Sequence, residues 1–240
     1  MRLMALAALF LPMLAAPAAA EQAPAAPSPA VAPPLTPENT WHLDLSTGGR
    51  VSIQLRPDVA PLSVERIKTL TRRGFYTGLA FHRVIEGFMA QGGDPKGDGT
   101  GGSDLPDLKA EFNVLPNMRG TVAMARADNP DSANSQFFIM RQAYPSLDKR
   151  YTAWGKVVSG LDVVRALKTG APASGAVEDP DLMTRVQIAA DVPVLERPSV
   201  RVLDTRSAAF AALAQSARTT RGADFSMCDI ELPVQVYQAQ

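Results

Sequence analysis

The residues best suited to chemistry in this chain lie in the run FHRVIEGFMAQGGD, at positions 81–94. Arg83 supplies a guanidinium that stays charged at any working pH and offers several N–H donors. Phe88, Met89 and Gln91 follow it closely. No nucleophile–base pairing accompanies the arginine. The combination suits a reaction that holds an apolar group and neither makes nor breaks a covalent bond.

Two further segments strengthen this interpretation. GTVAMAR occupies positions 120–126, and NSQFFI occupies positions 134–139. Together with the first run they resemble the two signature segments of the cyclophilins, the peptidyl-prolyl cis-trans isomerases. The resemblance covers about residues 39–194. Two long motifs in the family's order argue against a chance match.

The resemblance implies rotation about the X-Pro imide bond, with proline-containing polypeptides as substrates and no cofactor. That bond resists rotation by about 18–20 kcal/mol because nitrogen donates into the carbonyl. At the twisted transition state the prolyl nitrogen becomes pyramidal and can accept a hydrogen bond. An arginine placed against the proline therefore favours the twisted state over either planar one.

The resemblance also implies the site residues. Arg83 and Gln91 would be catalytic. Substrate would be bound by Phe88, Met89, Ala125, Arg126, Gln136, Phe138, Leu147 and Tyr151. Strict strand alternation puts Met89 and Gln91 on one face and Phe88 on the other, so the grouping requires a local irregularity.

One position departs from the family pattern. Cyclophilins often have tryptophan immediately before the residue that corresponds to Leu147, and bacterial members often have another aromatic residue. This chain has Ser146 there. We expect a weaker pocket wall at this position and weaker binding of cyclosporin, because serine lacks the apolar area and N–H donor of an indole.

Other kinds of site fit the sequence poorly. GDGTGG at 97–102 matches a dinucleotide-binding string, but the SDLP that follows would break the helix such a site needs. Asp128, Asp131 and Asn134 lack calcium-loop spacing and are better interpreted as turn formers. Two histidines and one cysteine make a metal centre improbable, and no nucleophile elbow supports a hydrolase. Balanced charge, 24 basic against 24 acidic residues, gives no support to a nucleic-acid partner.

The pattern of elements predicts a mainly β fold, a closed eight-stranded antiparallel barrel capped by two α-helices. One helix should begin at Pro61 and end near Gly74. The other should run over 161–168, with Ser159 and Asp162 as a capping box. Gln136 and Phe138 should face a groove, whereas Phe137 and Ile139 should face the core. Strands are predicted near 43–45, 51–55, 80–85, 88–92, 121–125, 136–140, 152–158 and 184–190.

The remaining segments define the domain organisation. Residues 1–20 have the basic start, short apolar run and A-x-A site of a signal peptide, and residues 21–38 form a linker rich in proline and alanine. The isomerase domain would span 39–194. We expect an exported monomer in a bacterial periplasm, with no membrane association after cleavage of the signal. Residues 195–240 are a C-terminal extension of unknown role, with predicted strands at 200–203, 225–227 and 230–232 and a helix at 207–217.

Two alternatives stay open at this point. A non-catalytic peptide-binding or chaperone module could carry the same groove, although such a module need not keep Arg83. The single cysteine, Cys228, cannot form an internal disulfide. Its apolar surroundings favour a buried structural thiol over a reactive or intermolecular one.

Overall fold

The computed structural model of the chain describes residues 34–197, 199–203, 207–225, 230 and 234–237. The predicted signal peptide, most of the linker and Cys228 lie outside the described residues. In the described part of the chain, no helix is long and apolar enough to cross a membrane.

Eight strands form one antiparallel sheet in the order β3-β4-β6-β5-β7-β2-β1-β8. The predicted strands are confirmed, with boundaries that differ by one to three residues. Their bounds are β1 Thr40–Leu45, β2 Arg50–Leu55, β3 Arg83–Ile85, β4 Met89–Gly92, β5 Thr121–Met124, β6 Phe137–Met140, β7 Ala153–Ser159 and β8 Met183–Ile188.

The sheet curls into an open half-barrel, and the closed barrel expected from the sequence is not confirmed. The two strands at the ends of the order, β3 and β8, share no ladder. Residues before β8 pair with β3 and the chain leading into it through two isolated bridges, Arg83 to Ala176 and Ala80 to Leu182, and not through a continuous ladder. The gap is open because no strand forms between residues 166 and 182 to complete the ladder.

The core is organised around Trp41 on β1, which is fully buried. Its ring meets Tyr76, Phe137 and Trp154 edge to face, with centroids 5.4, 5.2 and 5.6 Å away. Its Nε1 donates a hydrogen bond of 2.8 Å to the Thr71 hydroxyl. The indole thus joins the first strand, two central strands and the end of a helix, and it satisfies its own donor inside the core.

That helix is α1, Pro61–Arg72, and it starts where the sequence predicts. The preceding residue supplies no side-chain cap. Instead the carboxylate of Glu111, from a distant loop, accepts 2.8 Å hydrogen bonds from the backbone N–H groups of Leu62 and Ser63. It also accepts from the Ser63 hydroxyl at 2.7 Å. Two otherwise unpaired donors at the helix start are satisfied, and the negative charge lies at the positive end of the helix dipole.

The second helix, α2, spans Leu161–Arg165 and is shorter than expected. The predicted capping box of Ser159 and Asp162 is wrong. The residue at the N-cap is Gly160, in the left-handed region with φ of 83° and no side-chain cap. A Cβ at this position would collide with the carbonyl oxygen of Arg50, so close packing against β2 requires glycine here.

In the C-terminal segment, β9 (Ser199–Val202) pairs antiparallel with β10 (Val234–Tyr237) in a separate two-stranded sheet. The helix α3 spans Ala208–Arg221, longer than predicted, and Ser207 caps it by accepting from the Phe210 N–H. Strand β10 was not expected. Of the predicted strands at 225–227 and 230–232, only Phe225 and Ile230 are among the described residues, and neither belongs to a strand.

Replacing Glu111 by alanine should lower the free energy of unfolding by about 1–2 kcal/mol, the usual cost of losing a helix cap. Chemical denaturation measures the change. Glu65→Ala is the matched control, because Glu65 lies on the exposed face of the same helix. The control should stay within about 0.5 kcal/mol of the natural protein. Equal midpoints for Glu111→Ala and the natural protein would show that the remote cap does not stabilise the helix.

Candidate active site

The hairpin of β3 and β4 positions the predicted catalytic pair. Arg83 lies directly opposite Gln91 across the two strands. The Arg83 Nη1 donates to the Gln91 Oε1 at 3.2 Å, and its Nε donates to the carbonyl oxygen of Ser174 at 2.9 Å. Two anchors from different segments therefore hold the plane of the guanidinium. Among the described residues, the Arg83 Nη2 group has no hydrogen-bond partner.

The Ser174 anchor depends on a glycine. Gly175 has φ of 75°, and a Cβ there would overlap the side chain of Ile85. The backbone N–H and carbonyl of Gly175 also form hydrogen bonds. The carbonyl oxygen accepts one of 2.8 Å from the Val84 N–H. Glycine therefore lets the 174–176 segment approach β3 closely enough for its carbonyl to meet Arg83.

A chain of amides extends from Gln91. Its Nε2 donates to the Gln136 Oε1 at 2.9 Å. The Gln136 Nε2 in turn donates to the carbonyl oxygens of Gly99 and Gly101, at 3.0 and 2.8 Å. These bonds turn the Gln91 oxygen towards Arg83. The glycine-rich string is an irregular loop, as expected, and it anchors this relay.

Asp94 fastens the base of that loop. The side chain is buried and accepts backbone hydrogen bonds from Lys96 at 2.8 Å and Gly99 at 2.6 Å. Burial raises the pKa of Asp94, but the N–H groups of Lys96, Gly99 and Gly101 outweigh it and hold the pKa below its usual value. A charged carboxylate thus fixes the loop that supports Gln136.

Next to this polar relay lies a cavity of about 210 Å³. Met89 and Phe138 form its floor, with only 2% and 5% of their surfaces exposed. The Tyr151 ring meets Phe138 edge to face at 5.5 Å. Nine side chains line the cavity: Arg83, Phe88, Met89, Gln91, Ala125, Arg126, Phe138, Leu147 and Tyr151.

The cavity brings together nine of the ten residues that the sequence assigned to the site. The exception, Gln136, does not line it and lies one hydrogen bond behind Gln91. Phe88 reaches the cavity because it belongs to the 86–88 turn, not to β4, which begins at Met89. The turn is the irregularity that strict alternation required. The individual roles of these residues stay predictions.

Near Ser146 the structure places an aromatic ring that sequence reasoning missed. Tyr144 packs against Phe88 with ring centroids 4.7 Å apart, and 45% of its surface is exposed. Leu147 follows in a short 3₁₀ turn, Pro145–Leu147, and lines the cavity. The sequence signal that could have identified this ring is the aromatic residue two positions before Ser146. Asp94 was also missed, although an aspartate opening a glycine-rich loop is typical of a turn anchor.

The two histidines do not form a hydrolase site. His42 Nδ1 lies 3.0 Å from the Ser52 hydroxyl, but both residues are buried and face each other across β1 and β2. Desolvation lowers the pKa of His42 to about 4, and burial also lowers the pKa of His82. In the described residues, no group of three histidine, cysteine, aspartate or glutamate side chains could hold a metal ion.

The fold and site define a half-barrel protein that presents a fixed guanidinium beside a cavity with an apolar floor. The model of the family "Cyclophilin type peptidyl-prolyl cis-trans isomerase/CLD" matches residues 42–190. Since this match exceeds half of the chain, the protein belongs to the cyclophilin family and is an enzyme of the peptidyl-prolyl cis-trans isomerase class.

Named relatives agree with this assignment. A "Probable peptidyl-prolyl cis-trans isomerase" of Brucella suis is 54% identical over 167 residues, which cover 65% of this chain and 85% of the relative. "Peptidyl-prolyl cis-trans isomerase B" of Bacillus subtilis is 39% identical over 132 residues, which cover 55% of this chain and 92% of the relative.

Solved structures show the same fold. A cyclophilin from Hirschia baltica matches with a TM-score of 0.73 and 27% identity, over 86% of this chain and 93% of that one. That similarity extends beyond the region matched by the family model. A cyclophilin-type isomerase from Cryptosporidium parvum, crystallised in the presence of the dipeptide Ala-Pro, matches with a TM-score of 0.57 and 27% identity. It covers 62% of this chain and 98% of that one.

The Tyr144 ring should contribute to activity by keeping Phe88 in place. Tyr144→Ala should lower kcat/KM about fivefold, because an aromatic pair is worth about 1 kcal/mol. A protease-free isomerisation assay by NMR exchange measures it. Tyr144→Phe retains the ring and should behave as the natural protein. Unchanged activity in the alanine variant would place Tyr144 outside the functional site.

Proposed function

We propose that the enzyme accelerates X-Pro rotation through Arg83, with the proline ring held in the 210 Å³ cavity. The observation that carries this proposal is the placement of a doubly anchored guanidinium at the edge of a cavity whose floor is formed by apolar side chains. The Ala-Pro dipeptide present with the Cryptosporidium parvum enzyme supports a proline-containing ligand.

Each part of the site has a role in this mechanism. Met89, Phe138, Phe88 and Leu147 hold the ring by burial of apolar surface. Backbone groups near Ala125 bind the peptide main chain. Arg83 donates to the prolyl nitrogen as that nitrogen becomes pyramidal, and the hydrogen bond is strongest in the twisted state. Lowering the barrier by about 7 kcal/mol would accelerate rotation about 10⁵-fold.

In this mechanism, the fixed orientation of Arg83 contributes to catalysis. Rotation of the imide bond changes no net charge, so the catalyst gains only from geometry and from donors already in place. Gln91 and the Ser174 carbonyl supply that preorganisation, and Gln136 with the 97–101 loop supports Gln91. A positioned donor pays no reorganisation cost as the substrate twists.

We also propose the cellular setting. The predicted signal peptide at 1–20 and linker at 21–38 would send a domain of residues 39–194, with its extension 195–240, to the periplasm of a bacterium. There the monomeric enzyme would assist folding of exported proteins. X-Pro exchange without a catalyst takes about 10–100 s, which is slow enough to limit folding.

Arg83→Ala should lower kcat/KM about 10²–10³-fold, the usual loss on removing one transition-state donor. Thermal unfolding should change little, since the side chain is partly exposed and forms no ion pair with a described residue. Arg185→Ala, on the opposite edge strand, is the control and should retain full activity. The same NMR exchange assay decides the matter. Near-natural activity in Arg83→Ala would remove this mechanism.

Export predicts a specific mature terminus. Mass spectrometry of the protein isolated from the periplasm of its expressing cell should find Glu21 as the first residue, after cleavage behind Ala20. Ala18→Arg should block processing by disrupting the A-x-A site, whereas Ala26→Arg in the linker should not. An intact Met1 on the soluble protein would contradict the signal-peptide interpretation.

A further inference from the structure

The cavity carries an excess of positive charge. Two of its nine lining residues are arginines, Arg83 and Arg126, and none is acidic. Within the part of the chain that the structure describes, neither arginine forms an ion pair with a carboxylate. Both are held by neutral acceptors, which orient a cation without cancelling its charge.

Arg126 is held firmly at the wall of the cavity. Its Nε and Nη2 donate to the carbonyl oxygen of Arg150 at 3.3 and 3.0 Å. Its Nη1 donates to the carbonyl oxygens of Ala127 and Asp128, at 2.7 and 3.1 Å. The guanidinium carbon also lies 4.8 Å from the centroid of the Tyr151 ring.

The contact with Tyr151 places the charge at the substrate pocket. Tyr151 itself lines the cavity and packs on Phe138 in its floor. The Arg126 guanidinium also lies 5.8 Å from the centroid of the Phe112 ring, which is exposed. Aromatic faces attract a cation but leave it charged. Of the five guanidinium N–H groups, these carbonyls engage four, so one Nη2 donor can still meet a ligand.

The acidic residues of the neighbouring loops are directed elsewhere. Asp148 accepts from the backbone and side chain of Asn117, at 2.7 and 3.1 Å. Asp131 accepts from the Ala110 N–H at 2.8 Å, and Asp98 accepts from Thr100. Asp128 offers Arg126 only its carbonyl oxygen. Arg150 meets Arg126 through its backbone carbonyl oxygen, and its own side chain is basic and exposed.

We propose that Arg126 selects proline substrates with an aspartate or glutamate directly before or after the proline, by pairing its guanidinium with that carboxylate. This inference rests on the proposed use of the cavity for the proline. A partly exposed pair of this kind should favour an acidic peptide over its neutral analogue about fivefold, and it should weaken with salt. A basic side chain at the same peptide position should be disfavoured.

The test compares matched peptides that differ only in the residue before or after the proline, with glutamate, glutamine or lysine at that position. The readout is the ratio of kcat/KM for the glutamate and glutamine peptides within each protein variant. In the natural protein the ratio should be about five for at least one of the two positions. It should fall to about one in Arg126→Gln and in 0.5 M NaCl. Arg185→Gln removes the same charge at a remote edge strand and should keep the natural ratio.

Dissociation constants for the same peptides, measured by NMR titration, separate the two proposals. Preferential binding of the glutamate peptide without catalysis of any peptide would overturn the proposed isomerase mechanism and leave the role of Arg126 standing. An active natural enzyme with a ratio of one at both positions would overturn the role of Arg126 alone. So would a ratio that survives in Arg126→Gln.

Discussion

The cross-strand register of β3, β4 and β6 is the constraint on which the site depends. Arg83 lies opposite Gln91, and Gln91 lies opposite Phe138. Because side chains alternate along a strand, a slip of one residue would turn all three into the core. The register is fixed from the other face, where Val84, Ala90 and Ile139 pack among the buried core residues. The arrangement of Arg83, Gln91 and Phe138 is therefore secured by apolar packing on the opposite face of the sheet.

The central strands accordingly carry two separate apolar surfaces. On the inner face, Phe137 packs with Trp41 and Trp154. On the outer face, Phe138 joins Met89 in a smaller cluster that forms the cavity floor. All four residues of β6 are buried for this reason, and the strand has no solvent-facing side chain. Rigidity of the core is thus transmitted directly to the pocket, because adjacent residues of one strand serve the two.

Much of this arrangement follows from local sequence patterns, and the exceptions have a shared cause. Alternation predicted the opposite faces of Phe137 and Phe138, and Pro61 predicted the start of α1. The cap from Glu111 joins residues that lie 48 and 49 positions apart, so no local motif announces it. Ser159 looked like a cap, but contact with Arg50 imposes a left-handed glycine at the next residue. Tertiary proximity, which sequence spacing does not encode, decided these details and the open edge of the barrel.

The arginines of this protein differ in whether a carboxylate or a neutral acceptor holds them. Arg50 and Arg56 meet Asp44 and Asp58 at 2.6 Å, so their charges are largely satisfied within the fold. Arg83 is instead held by an amide oxygen and a backbone carbonyl. A carboxylate in that place would fix the guanidinium equally well, but its negative charge would offset the positive charge of the arginine. Neutral anchors therefore fix the geometry of the cation and also leave its charge available, and the proposed mechanism requires both.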